Sequence, residues 1–108
     1  MSMSVPKFLQ PYLASYDLSK IDAVRHKELI ITEVLNKGDF KALSWLCKTY
    51  SKRDLVKVIK NPIRGVWLKD VLLYWMKIFD IELPGKVFRQ ALLDLNPYNE
   101  KVTPRGFK

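Results

Sequence analysis

Few side chains in this chain are of the types that make or break bonds. They are a single histidine, His26, a single cysteine, Cys47, and the close carboxylates Asp80 and Glu82. A general base or nucleophile needs a partner within hydrogen-bond reach and a third group to orient it. One copy each of His and Cys cannot supply a Ser/His/Asp or Cys/His set. One cysteine also excludes an internal disulfide and a cysteine-rich zinc site, and a lone histidine cannot hold a metal. His26 reads as a helix-start or surface residue, and Cys47, next to Leu46, as a small buried apolar one. Asp80 and Glu82 sit where a helix ends and read as solvated. Gly38, Gly65, Gly85 and Gly106 stand singly at expected turns, so there is no glycine-rich phosphate loop. The expectation is no catalytic residue, no metal and no cofactor.

Charge is more informative. The net charge is +8, and it is uneven: residues 1–50 carry seven Lys/Arg against five Asp/Glu, residues 51–108 twelve against six. Such an excess suits an acidic partner, either nucleic acid or protein. Lys52, Arg53, Lys57, Lys60, Arg64 and Lys69 are concentrated in one stretch, in which Asp54 interrupts and Asp70 follows. Arg53, Lys57 and Lys60 fall at four- and three-residue spacing and form a cationic ridge opposite Leu55, Val58 and Ile59. A ridge of this kind neutralises phosphates by releasing counterions, and the short link to the next helix resembles helix-turn-helix spacing. Nucleic-acid binding by Lys52, Arg53, Lys57, Lys60 and Arg64 is therefore one reading. Against it, the residue types that read base edges are sparse here.

These side chains have to be positioned by helices, because the pattern is helical throughout, without strand alternation. Residues 6–15 suggest a short helix shortened or kinked by Pro11. A second helix, from about Asp22 to Asn36, places Ile30, Ile31, Val34 and Leu35 on one side. It stops at Lys37-Gly38, with Gly38 taking a left-handed conformation. Asp39 caps a third helix with Phe40, Leu43, Leu46, Cys47 and Tyr50 on its stripe. Ser51 caps a fourth with Asp54 in a capping box, and Asn61-Pro62 ends it. Lys69 to Phe79 carries one stripe of Val71, Trp75, Ile78 and Phe79, while Leu72, Leu73, Tyr74 and Met76 fill its other faces. Such a helix belongs at the centre of a bundle or half-buried against another chain. Pro84 opens a last helix whose face is Val87, Phe88, Ala91, Leu92 and Leu95. The expected architecture is all-α: a compact bundle of five or six short helices over residues 1–96, with 97–108 a flexible basic tail. An apolar fraction of 48 % in 108 residues suffices for one core. The longest apolar run, Val71–Met76, falls far short of the roughly 18 residues of a membrane span. "MSMSVPKFLQPY" lacks a signal core, so a cytoplasmic protein is expected.

Trp45, Trp67 and Trp75, with Tyr74, Met76 and Phe79, exceed what so small a core needs, and Trp, Tyr and Arg dominate interface energetics. Trp67 follows Gly65 in the "RGVW" corner, where its ring is expected to stand partly exposed beside Arg64. Arg64, Trp67 and Lys69 are thus candidates for docking another protein. A homodimer with the Lys69–Phe79 helix as its seam is a further alternative.

The stretches "YDLSKID", "HKELIITEVLNKGDFKALSWLCKTYSKRDLVKVIK" and "YWMKIF" resemble a small prokaryotic domain family of unknown biochemical function. That family is associated with gene neighbourhoods encoding abortive-infection nucleotidyltransferase toxins. The likeness spans roughly residues 12–80 and is spread along the chain, without a catalytic signature. It implies a helical, non-enzymatic partner protein, the antitoxin-like member of a two-gene pair. Two positions depart from the family pattern: Leu68 replaces a Ser N-cap, and Leu73 replaces a polar residue two before the Trp. Both make the helix surface more apolar.

Overall fold

The computed structural model describes residues 4–93. Within them the chain is all-α. A 3-10 helix, Lys7–Leu13, and a single 3-10 turn, Leu18–Lys20, precede five α-helices: α1 Lys27–Lys37, α2 Phe40–Thr49, α3 Lys52–Lys60, α4 Lys69–Ile78 and α5 Gly85–Ala91. The expected 97–108 tail and Leu95 lie outside the described residues. No helix among the described residues is long and apolar enough to cross a membrane.

Pro11 explains why the first element is 3-10. Its ring and missing N–H prevent the α-type bond to the carbonyl four residues back. The helix still buries Leu9 and Leu13 against the core. α1 begins at Lys27, later than the Asp22 expected from sequence. Asp22 folds its own turn first: its Oδ2 accepts from the N–H groups of Val24 (3.1 Å) and Arg25 (2.6 Å). The backbone N–H of Asp22 in turn donates to His26 Nδ1 at 2.9 Å. Local side-chain bonds of this kind compete with helix for the same backbone.

α1 is the centre of the molecule. The 3-10 helix, α2, α3 and α4 all pack on it, and every residue from Ile30 to Asn36 is buried, Thr32, Glu33 and Asn36 included. The expectation of a single apolar side is therefore too narrow. Gly38 corrects another expectation. Its backbone is extended (φ −68°, ψ 150°), not left-handed. Glycine is required there for space: a Cβ would lie 2.6 Å from the Val34 carbonyl oxygen and 2.9 Å from Val34 Cγ1.

The caps of α2 and α3 follow the sequence closely. Asp39 Oδ1 accepts from Ala42 N–H at 2.9 Å. Ser51 Oγ accepts from Asp54 N–H while Asp54 Oδ2 accepts from Ser51 N–H, closing a capping box. α3 buries Leu55, Val58 and Ile59 as expected. The stripe on α2 holds at Leu43, Leu46 and Tyr50 and fails at Phe40 and Cys47. Ala42 and Leu46 face the core, with Leu43 and Trp45 partly buried beside them, whereas Phe40 is 85 % exposed and Cys47 is exposed. Phe40 and Cys47 are seven residues apart, nearly two turns, so they share one line on the far side of the helix.

Between α3 and α4 the chain turns a corner over residues 61–68. Gly65 adopts φ +76°, a conformation glycine reaches without a Cβ penalty. The corner is sutured to the end of α5: Gly65 N–H donates to Gln90 O (2.8 Å), Trp67 N–H to Ala91 O (2.9 Å), and Leu93 N–H to Trp67 O (2.8 Å). This eight-residue connection is longer than the 3–4-residue turn of a helix-turn-helix, which removes the expected likeness in spacing. α4 ends in a Schellman arrangement. Ile81 N–H donates to Met76 O (2.7 Å) and Asp80 N–H to Lys77 O (3.3 Å), with Asp80 in the left-handed position at φ 55°.

Candidate interaction surfaces

Two surfaces carry the sequence-predicted residues, and the corner joins them. Trp67 sits at that junction, and its ring is completely buried, not partly exposed. Asn36, at the end of α1, accounts for this. Its Nδ2 donates to Val66 O at 3.0 Å, and its Oδ1 accepts from Leu68 N–H at 3.0 Å. One amide thus pairs with the backbone on either side of Trp67 and holds the ring inward. The indole Nε1–H has no hydrogen-bond partner among the described residues, so packing outweighs the cost of burying that donor. Trp67 therefore fixes the shape of the corner and offers a partner no direct contact. Its neighbours Arg64 and Lys69 are exposed.

The first surface is the α3 ridge. Lys52, Arg53, Lys57 and Lys60 are all exposed, and Arg64 extends the series into the corner. Among the described residues none of these has a carboxylate within 4.0 Å; the ion pairs there are Lys27–Asp54 (3.3 Å) and Lys37–Glu33 (3.1 Å). Glu33 Oε1 is buried, and the Lys37 ammonium 3.1 Å away balances its charge. The Ser51 backbone N–H, with burial working against it and Lys27 and the Ser51 hydroxyl adding to it, holds the Asp54 carboxyl below the usual range. Beside the ridge lies a groove of about 510 Å³, between α3 and the start of α1, where Arg25, Lys27 and Lys57 stand with Glu28, Asp54 and Asn61. Sequence spacing along α3 could not reveal Arg25 and Lys27 on the opposite wall, since only the tertiary fold brings them there.

The second surface is the outer side of α4. Leu72 is buried, and Val71, Trp75, Met76 and Phe79 pack on the core, with Trp75 Nε1 donating to Leu35 O at 2.9 Å. Tyr74 meets the Trp75 ring edge-on, with centroids 4.9 Å apart, and Phe79 stacks on the same indole at 6.0 Å. Yet Tyr74 is 56 %, Ile78 54 % and Leu73 43 % exposed, and Leu68 stands exposed at the helix start. Of the two placements expected for an all-round apolar helix, the centre of the bundle is ruled out. The predicted stripe of Val71, Trp75, Ile78 and Phe79 is also corrected at Ile78, which faces water. Leu68 occupies the N-cap without a side-chain cap bond.

His26 is engaged in the turn before α1, through Asp22. Asp80 and Glu82 are exposed at the end of α4. Among the described residues, no three His, Cys, Asp or Glu side chains converge as metal ligands would.

The profile of a family of unknown function, DUF6922, matches residues 10–59. That span runs from within the 3-10 helix to the penultimate residue of α3, and it stops before the corner and α4. Its description names neither an activity nor a partner. No curated protein and no solved structure matches the chain significantly.

Proposed function

We propose that this chain, whose first half carries a domain of unknown function, is a non-enzymatic protein-binding module. The supporting observation is α4: its run Val71–Met76 is apolar throughout, yet the fold leaves Leu73 and Tyr74 of that run, and Ile78 beyond it, in water. Exposed aromatic and aliphatic side chains next to exposed cations make a surface suited to a protein with apolar and acidic groups. Lys69 opens α4 and Arg64 stands in the corner before it, both exposed. Trp67 acts from behind by fixing the corner. The resemblance to a family found beside nucleotidyltransferase toxins makes an antitoxin-like role toward such an enzyme the specific form of this reading. Co-expression with the product of the adjacent gene tests it. The two proteins are expected to co-purify, and Arg64→Ala, Lys69→Ala and Tyr74→Ala each to weaken the complex. A complex indifferent to all three substitutions would sink the proposal.

The unpaired α3 ridge favours a second reading, a small basic DNA-binding protein. Affinity for duplex DNA would then fall by about 0.9 log units per log unit of salt for each phosphate neutralised. Replacing Arg53, Lys57 and Lys60 by Ala would abolish binding and leave the fold intact, because all three side chains are exposed.

A further inference from the structure

We infer that the partner fitting the outer face of α4 is a second copy of this chain, docked with the two α4 helices antiparallel. This rests on the reading of α4 as a protein-binding surface and names the occupant that covers it when the chain is alone.

The argument is one of charge and symmetry. Asp70 and Lys77 are both exposed, and neither has an oppositely charged partner within 4.0 Å among the described residues. They are seven residues apart, nearly two full turns, so they lie on one line along α4. That line runs up the middle of the exposed face, with Leu73 on one flank and Tyr74 on the other. The midpoint of the Asp70–Lys77 span falls between Leu73 and Tyr74. A two-fold axis through that point, perpendicular to the helices, sets Asp70 of each copy opposite Lys77 of the other. Leu73 then meets Leu73, and Tyr74 meets Tyr74. The contact is isologous and closed, as a two-fold interface must be.

Orientation follows from the same charges. A parallel pairing would oppose Asp70 to Asp70 and Lys77 to Lys77, and like charges in contact suppress such an arrangement. The face is thus complementary to itself in one direction only. Its area is small: a ten-residue helix is about 15 Å long, less than the roughly 800 Å² per partner of a standard interface requires. Association therefore belongs to the weak, concentration-dependent class, with Kd on the order of 0.1–1 mM.

Sedimentation equilibrium of the full chain, from about 20 µM to about 1 mM at low salt, is the test. The average mass is expected to climb from 12.7 kDa toward twice that value. Asp70→Lys and Lys77→Asp should each weaken self-association about tenfold. An equimolar mixture of the two variants should recover it as a heterodimer, since one chain then presents two cations and the other two carboxylates. Both positions are exposed, so circular dichroism should be unchanged. A strict monomer at 1 mM overturns the inference, and so does a dimer insensitive to both substitutions or a mixture that fails to recover. A chain that stays monomeric while the adjacent gene product still binds in a Tyr74-dependent way overturns this inference alone. It leaves the proposed function standing.

Discussion

α1 and α4 are nearly equal in length, and each has the burial that the other's composition would suggest. α1 carries Thr32, Glu33 and Asn36 in its middle turns and is buried on all sides there. α4 is apolar over six consecutive residues, Val71–Met76, yet turns half its surface to water. Topology accounts for the inversion. Four elements pack around α1, whereas the core reaches α4 on one side only. Polar groups survive at the centre because they find partners, Thr32 within its own helix and Asn36 about thirty residues further along the chain. Thr32 Oγ1 donates to Glu28 O at 2.8 Å, and Asn36 serves the corner. What the comparison teaches is that a helix's hydrophobicity limits where it can go, while its neighbours decide where it is.

The largest expected effect breaks the comparison at the corner. Trp67→Ala should destabilise the fold by about 3–5 kcal/mol, the usual cost of emptying a buried aromatic site, measured as a shift in urea midpoint. Were Trp67 a surface docking residue, the same substitution would leave that midpoint unchanged. Trp67→Phe should cost much less, since it keeps most of the ring volume and removes the unpartnered indole N–H. Next comes Asn36→Leu, which keeps the side-chain bulk but deprives Val66 O and Leu68 N–H of their partners. Two backbone groups left unpaired at a part-buried site should cost about 2–4 kcal/mol. An equally large loss from Leu73→Asn on α4 would show that the two helices do not differ as described.

How much of this was legible in the sequence depends on the range of the interaction. The caps at Asp39 and Ser51, the capping box with Asp54 and the stop at Asn61-Pro62 are written in residues three or four apart, and the structure has each of them. Gly65 likewise marked a turn, and the structure adds its positive φ. Gly38 was the right residue for the wrong reason, because proximity to Val34 and not dihedral freedom demands it. Phe40 and Cys47 fell on the wrong side because periodicity defines a line along a helix but not which line meets the core. Trp67 was misread as exposed because its clamp, Asn36, is about thirty residues upstream. The α3 ridge was legible as a row of exposed cations, but the groove wall at Arg25 and Lys27 was not. The outer face of α4 was foreshadowed by its all-round apolarity, and the choice between centre and edge came only with the fold.

A smaller effect sharpens the α1 side through pH. The Tyr50 hydroxyl donates to Ala23 O at 2.6 Å in a buried site. Burial, with the Asp22 and Asp54 carboxylates behind it, pushes its pKa up to about 12. The unfolded phenol ionises near 10. A raised native pKa on an acid favours the neutral form in the fold, so this contribution is complete below pH 10 and is lost as pH rises from 10 through 12. It is on the order of 1–2 kcal/mol. Tyr50→Phe should cost a comparable amount at pH 7, and its stability should decline less than that of the parent between pH 9.5 and 11.5. Parallel declines in the two proteins would show that the phenol does not titrate through that window.

The smallest expected effect tests the α4 side directly. Tyr74 is more than half exposed, its ring touches Trp75 only edge-on, and no hydrogen bond to its hydroxyl is present among the described residues. Tyr74→Ala should therefore change the stability of the isolated monomer by no more than about 0.5 kcal/mol, the range for surface positions. Alanine's better helix propensity offsets part of the lost ring contact. The same substitution should be costly to any complex that covers the face, since an aromatic ring at the centre of an interface is a typical anchor. Small in the free chain and large in the bound one is the pattern a docking residue must show, and Trp67 should show the opposite. A loss of 2 kcal/mol or more in the monomer would mean that Tyr74 belongs to the core after all. α4 would then be a packed helix like α1, with no unpartnered face to assign.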